Sequence, residues 1–296
     1  MTRSDRARRT GALLTAPAIA VVALVTLVPI AFSVFLSLST VRPGVEGFDF
    51  EFVGLANYMN AIETPALWQA FLFTGTYTVV SVTVQIALGL AVALVIDRMT
   101  RWAGITLAML LVPWAMITVV SAQLWSYIFN GVYGIANYLL ELIGVISEPV
   151  TFLASPVGAF VALLVADTWK TVPFVALILF GGLRSIDKEL YSAAKLDGAG
   201  PARILGQITI PLLRQSIITA VVFRVLQAFG LFDLPFVLTN GGPGTSTQSI
   251  AMLAYNALFQ DLNIGYGAAI AFLMTLTVAL FAVVFLRAFK VDESHG

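Results

Sequence analysis

The sequence predicts an all-α membrane protein with six transmembrane helices, both termini on the cytoplasmic side, and one long polar loop between helices 4 and 5. Three observations predict it. Of the 296 residues 59% are hydrophobic and 11% charged, and mean hydropathy is +0.94; a soluble domain carries about 25% charged residues. Six apolar runs reach the ~20 residues that cross a bilayer: roughly 13–38, 70–96, 103–128, 156–182, 215–239 and 264–286. Basic residues segregate between the loops. With the N-terminus inside, the cytoplasmic segments hold Arg3, Arg6, Arg8, Arg9, Arg98, Arg101, Arg184, Lys188, Lys195, Arg203, Arg214, Arg287 and Lys290. The external loops hold only Arg42, and Lys170 and Arg224 fall inside apolar runs. The Lys/Arg bias of short loops sets orientation, so the chain is read as N-in and C-in.

The first run follows the four arginines and competes with a signal-peptide reading. It is too long for one and no small-residue cleavage site follows, so it is read as a retained helix after a cytoplasmic tail, 1–12. The external loop 40–67 is acidic, with Glu46, Asp49, Glu51 and Glu63, and reads as a solvated loop with a short amphipathic piece on the membrane. Helices 2 and 3 are joined by the tight turn Arg98-Met99-Thr100-Arg101. Pro113 removes one backbone donor and predicts a kink in helix 3. Trp125, Tyr127 and Tyr133 near its outer end are expected interfacial anchors. The second external loop, 130–155, carries Glu141 and Glu148 around an apolar segment that predicts a short helix along the membrane.

Helices 4 and 5 carry charge where lipid forbids it. Asp167, Lys170, Thr171 and Phe174 occupy i, i+3, i+4 and i+7, one face of helix 4. Arg224, Gln227, Ala228 and Leu231 share one face of helix 5. A charge at mid-membrane costs about 2.5–3.5 kcal/mol on insertion scales, so such residues pair with each other or line water. Asp167 and Lys170 can neutralise each other, face a hydrated cavity, or do both. At about 1.5 Å per residue, Asp167 and Arg224 come out at equal depth in a roughly 30 Å core. They are therefore expected to meet. Asp233 lies half a turn out of phase with Arg224 and is assigned to a different helix contact. Helix 5 ends at Leu238-Thr239-Asn240-Gly241-Gly242-Pro243, where paired glycines and a proline break the helix.

The polar segment 183–214 contains Tyr191 to Lys195, read as the end of a short helix with small Ala faces. Gly198 lets the chain turn sharply, and Pro201 suits the first turn of a second helix. The order Ala193-Ala194-x-x-Asp197-Gly198-Ala199, then Ile208-x-Ile210-Pro211, resembles the coupling ("EAA") loop of permease subunits of binding-protein-dependent ABC importers. Ser192 stands where that family usually has Glu, and Leu205 where Phe is common. Phe52-x-Gly54-Leu55-x-Asn57-Tyr58 with Leu67-Trp68, and Leu238-Thr239-x-Gly241-Gly242-Pro243, resemble the carbohydrate-uptake branch of maltose, glycerol-phosphate and trehalose type. The resemblance runs from about 50 to 290 and implies one transmembrane domain, 13–290, with a short C-terminal tail, 291–296.

The resemblance implies roles for particular residues. Ser192, Ala193, Ala194, Asp197, Gly198, Ala199, Leu205, Ile208 and Pro211 would couple the chain to an ATPase. Asp167, Lys170, Thr171, Phe174, Arg224, Gln227 and Ala228 would line the substrate path, with residue types more charged than the maltose pattern. The implied partners are a second permease subunit, two ATP-binding subunits, an extracytoplasmic solute-binding protein, a sugar and membrane lipid, in a bacterial plasma membrane.

Several chemistries find no support in the residues. No Gly-x-x-x-x-Gly-Lys-Ser/Thr loop occurs, so ATP and Mg are expected on partner subunits and no cofactor in this chain. There is no cysteine, no metal-ligand spacing and no defensible catalytic constellation, and the one histidine, His295, sits in the polar tail. Nucleic-acid binding is not expected. Two alternatives stay open: the same kind of importer carrying a charged solute such as glycerol-3-phosphate, or a membrane enzyme using Asp167 and Asp233 as catalytic carboxylates.

Overall fold

The computed structural model describes residues 3–44, 47–99 and 101–288. Lys290 and His295, and the tail 291–296, lie outside the described residues. The described chain is mostly helical. Four helices are long and apolar enough to cross a membrane alone, and six spans result if each of two sharply bent pairs is one span.

Contacts divide the chain into two units, residues 1–65 with 253–275, and residues 66–252 with 276–296. In the first, α1 (Arg3–Ser37) starts well before residue 13 and passes Pro17 and Pro29 without a break. Its apolar side chains stay exposed, Val22 at 64% and Leu24 at 66%. The loop expected at 40–67 is more ordered than its composition suggests. It forms an antiparallel hairpin, β1 (Ser39–Gly44) with β2 (Gly47–Phe52), then α2 (Ala56–Glu63). The alternation Phe48, Asp49, Phe50, Glu51, Phe52 has the period of a strand, a signal masked by the acidic count.

The Phe52-to-Tyr58 motif has a structural job here. Gly54 takes φ +60° and turns the chain into α2. Asn57 Nδ2 then donates to the carbonyls of Ser37 (2.9 Å) and Ser39 (3.0 Å), and Tyr58 bonds Ser37 Oγ (2.6 Å). The first satisfies a carbonyl that the C-terminus of α1 leaves open, and the second holds the first residue of β1. A Cβ on Gly265 would fall 2.1 Å from the Ser39 carbonyl, so only glycine allows this approach.

The second unit begins with α3 (Pro65–Asp97). The expected span 103–128 is not one kinked helix. It is α4 (Ala103–Leu110), α5 (Val112–Ala115) and α6 (Thr118–Ile128), with an 88° bend between α5 and α6. Pro113 sits in the first turn of α5, and the bend falls beyond it at Met116 and Ile117, both extended. Trp125 is half-buried and packs inward. It stacks on Phe129 (5.4 Å), meets Trp169 edge-on (5.8 Å) and packs against the core around Tyr77 and Leu163, while Tyr127 and Tyr133 are exposed. Loop 130–155 contains the expected short helix, α7 (Ile135–Leu142), tied down by buried Asn137 bonding both backbone groups of Val150.

α8 (Pro156–Arg184) starts at an N-cap, Ser155 Oγ accepting from Gly158 N at 3.0 Å. The polar segment folds as α9 (Lys188–Leu196), α10 (Pro201–Ile204), a π-helical turn Leu205–Thr209, and α11 (Ile210–Leu212). The expected continuous helix over 215–239 is two pieces. α12 (Arg214–Phe229) stops at Gly230, and α13 (Asp233–Leu238) restarts after Phe232. α12 also meets the preceding segment at a 69° bend. After the Gly-Gly-Pro turn come α14 (Ile250–Tyr255), a second π turn Asn256–Gln260, and α15 (Ile264–Ala288).

Candidate functional site

α3 contributes what sequence reasoning missed. Thr74, Tyr77, Thr78, Ser81 and Gln85 are all buried although polar. Their spacing of three and four residues puts them on one stripe. A polar stripe inside a strongly apolar helix must find partners within the protein.

Thr78 and Ser81 bond back to carbonyls of α3 and Thr74 accepts from Ile250 N, while Tyr77 and Gln85 find their partners in the two charged helices. Arg224 of α12 and Asp167 of α8 form an ion pair, guanidinium to Asp167 Oδ2 at 3.0 Å, with side chains only 3% and 8% exposed. Gln85 bridges them, donating to Asp167 Oδ2 (2.9 Å) and accepting from Arg224 Nε (2.7 Å). Tyr77 OH donates to the same Oδ2 (3.3 Å), and Arg224 also donates to Gln227 Oε1 (2.7 Å). Every nitrogen of the guanidinium thus has a protein acceptor, which is what a buried Arg requires. The two residues meet as their matched depths predicted. The ion pair ties α8 to α12, and Gln85 ties both to α3.

Lys170 does not serve as the partner of Asp167. Its Nζ donates to Thr118 Oγ1 at 2.6 Å, linking α8 to the start of α6. Thr171 Oγ1 bonds back to the Asp167 carbonyl (2.7 Å).

Beside this network lies a polar cavity of about 330 Å³. Of the expected path residues, Asp167, Lys170, Thr171, Arg224 and Gln227 line it. Phe174 and Ala228 do not. Phe174 lies flat against Trp114, centroids 4.9 Å apart at 6°, and its edge meets Phe223; Ala228 is 1% exposed in packing. Trp114 is the ring that reaches the cavity, joined by Thr118 and Ser121. Asp233, assigned above to a different contact, lines the same cavity. The phase count failed because it ran through Gly230, where the helix stops. The break Gly230–Phe232 lines the cavity, and Trp114 and Thr118 line it from either side of the break at Met116–Ile117. Broken helices at membrane depth are tolerated where backbone lines a cavity or is buried in protein.

The polar segment forms a two-helix knob. Asp187 caps α9 by accepting from Glu189 N at 2.9 Å. α9 ends in a paired motif: Ala199 N donates to Ala194 O (2.9 Å) and Gly198 N to Lys195 O (3.1 Å), with Gly198 at φ +75°. This is the Schellman closure, in which a left-handed residue satisfies the last carbonyls. It explains the Ala-Ala-x-x-Asp-Gly-Ala spacing physically. Pro201 opens α10 in its first turn. Ser192, Ala193, Asp197 and Gly198 are exposed, as is Pro211; Ala194, Ala199, Leu205 and Ile208 are half-buried. Ser192 Oγ donates only to the Lys188 carbonyl (3.3 Å), so it serves its own helix. Thr209 Oγ1 approaches Tyr191 OH at 3.5 Å, bringing the two halves together.

Among the described residues no group of three His, Asp or Glu could hold a metal ion.

Comparison with known proteins gives a consistent picture. The family model described as "Binding-protein-dependent transport system inner membrane component" matches residues 12–291. The chain is 36% identical over 283 residues to the trehalose/maltose transport system permease protein MalF of Thermococcus litoralis, covering 95% of this chain and 94% of that one. It is 36% identical to the trehalose transport system permease protein SugA of Mycobacterium tuberculosis, covering 98% and 91%. It is 34% identical to the sulfoquinovosyl glycerol transport system permease protein SmoG of Agrobacterium fabrum, covering 95% and 90%. Among solved structures it superposes on a bacterial alginate ABC transporter, in complex with an alginate-pentasaccharide-bound periplasmic protein, with TM-score 0.79. That match covers 100% of both chains at 16% identity.

Proposed function

Because the chain belongs to the family of inner membrane components of binding-protein-dependent transport systems, we propose that it is the membrane-spanning permease subunit of an ATP-driven sugar importer. Relatives with trehalose, maltose and lactose in their names support a sugar as cargo. The permease works in a bacterial plasma membrane with both termini inside. A second permease subunit, two ATP-hydrolysing subunits and an extracytoplasmic binding protein complete the machine, and ATP and Mg belong to the hydrolysing subunits.

The observation that carries the substrate path is the polar cavity beside the Asp167–Arg224 pair. Its volume lies at the low end of the roughly 300–1,000 Å³ range of small-ligand pockets, which suits one or two sugar rings. Lys170 and Gln227 offer donors, Asp233 and the Thr171 hydroxyl oxygen offer acceptors, and Trp114 offers a flat face backed by Phe174. Sugars need that combination: hydroxyls to be bonded and an apolar ring face to be stacked. The N–H groups of Arg224 are engaged by Asp167, Gln85 and Gln227, so an anionic solute would have to break the network to use them. Two carboxylates and two cations line the cavity, which favours a neutral sugar over a phosphorylated one.

The knob supplies the coupling. When the hydrolysing subunits close, a cleft on one of them pulls the exposed face of α9 and Gly198. The motion passes through the knob into α8 and α12 and reopens the cavity on the other side, alternating access around a midplane site. Co-purification followed by competition tests the reading. The chain, isolated with its partners in proteoliposomes, is expected to bring down an ATPase and to take up a neutral disaccharide. Absence of any ATPase, or inhibition of uptake by sugar phosphates but not by neutral sugars, overturns the assignment.

A further inference from the structure

A second cavity, of about 580 Å³, lies under the knob, bounded by the end of α3, the end of α8, α9, α10 and the π turn. Its character differs from that of the substrate path. Leu94, Leu183, Ile204 and Leu205 give it apolar walls, and Arg98 and Lys195 line it as cations. Neither cation forms an ion pair among the described residues. The one carboxylate there, Asp97, is taken by Arg184 at 3.1 Å. The cavity therefore carries uncompensated positive charge above a greasy floor. Tyr191 and Thr209 add hydroxyls.

The cavity lies on a different face of the knob from the exposed coupling residues. Ser192, Ala193, Asp197 and Gly198 do not line it, whereas Tyr191 and Lys195, one helical turn apart, do.

We propose that this cavity binds an acidic phospholipid of the inner leaflet, its phosphate held by Arg98 and Lys195 and an acyl chain lying against Leu94, Leu183, Ile204 and Leu205. Basic pockets between transmembrane helices on the cytoplasmic side are suited to anionic headgroups. The apolar wall selects a phosphate that carries a tail. Because the site spans α3 and both halves of the knob, the lipid braces the knob against the helix bundle. The location at the inner leaflet rests on the permease reading above; the cavity and its unpaired cations do not.

Native mass spectrometry of the purified complex, delipidated and titrated with phosphatidylglycerol or phosphatidylcholine, tests it without any transport assay. Phosphatidylglycerol is expected to be retained and phosphatidylcholine washed away. At about 1 kcal/mol per basic residue near an anionic lipid, each cation is worth about fivefold, so Arg98→Gln with Lys195→Gln should weaken phosphatidylglycerol binding about twenty-five-fold. Arg98→Lys with Lys195→Arg should keep most of it, which separates charge loss from misfolding. Equal retention of both lipids, or no change in the Gln double variant, overturns the proposal. Displacement of phosphatidylglycerol by millimolar inorganic phosphate also overturns it, showing a site for free phosphate. Failure of sugar uptake with intact lipid selectivity would count against the transport reading and leave this one standing.

Discussion

Arg224 and Asp167 permit a quantitative test, because each is the other's only charged partner within 4 Å among the described residues. Arg224→Gln removes the guanidinium from beside a carboxylate that is 8% exposed. Asp167 keeps Gln85 Nε2 at 2.9 Å and Tyr77 OH at 3.3 Å but loses its counter-charge, and Gln85 Oε1 loses its 2.7 Å donor. Breaking a buried pair from one side costs about 3–5 kcal/mol. Asp167→Asn strands Arg224 in the same way and should cost about as much. The double variant buries two neutral amides and no net charge, so its cost should be nearer 1–2 kcal/mol, the scale of an imperfect buried hydrogen bond. The cycle then has an interaction energy of at least about 4 kcal/mol, against roughly 0.5 or less for independent sites. Thermal unfolding of the complex in nanodiscs reads the order directly: wild type highest, double variant next, both single variants lowest. Sugar uptake should stay low in the double variant, because the charged wall of the cavity has gone. Additive losses of stability would refute the reasoning, since they would mean that the pair is not energetically coupled.

Three further outcomes are expected. Gly198→Trp puts a side chain at φ +75°, where an L-residue is strained by roughly 1–2 kcal/mol, on an exposed turn where a Cβ meets nothing within 4 Å. It should insert normally yet lose sugar-stimulated ATPase activity, and full stimulated activity would rule out the coupling role. Trp114→Ala removes the ring that Phe174 backs at 4.9 Å; uptake affinity should fall about tenfold or more, consistent with the roughly 0.5–1.5 kcal/mol of an aromatic contact plus lost burial, with complex assembly unchanged by gel filtration. Asn57→Ala deletes the bonds to the end of α1 and the start of β1 and should destabilise the complex by about 1–3 kcal/mol without changing which sugars compete for uptake.

The sequence by itself determined the membrane class, the family and the faces of α8 and α12 that meet, because each follows from composition, local motif or helical period. The motif Ala193 to Ala199 even prescribes its own backbone, since the Schellman closure is made within seven residues. Tertiary structure alone decided the rest. Period counting holds only while the helix continues. It therefore misplaced Asp233 beyond Gly230, and a single span over 103–128 hid the bend that brings Trp114, Thr118 and Ser121 to the cavity. The helix face and the resemblance put Phe174 on the path, but the α5–α6 segment lays Trp114 over it, and Trp114 lines the cavity instead. The α3 stripe of Tyr77 and Gln85 was legible as a pattern, yet its meaning depended on residues 82 to 139 positions away in the chain. Such contacts are selected by the need of buried polar groups for partners, and that need cannot be met or read within one segment.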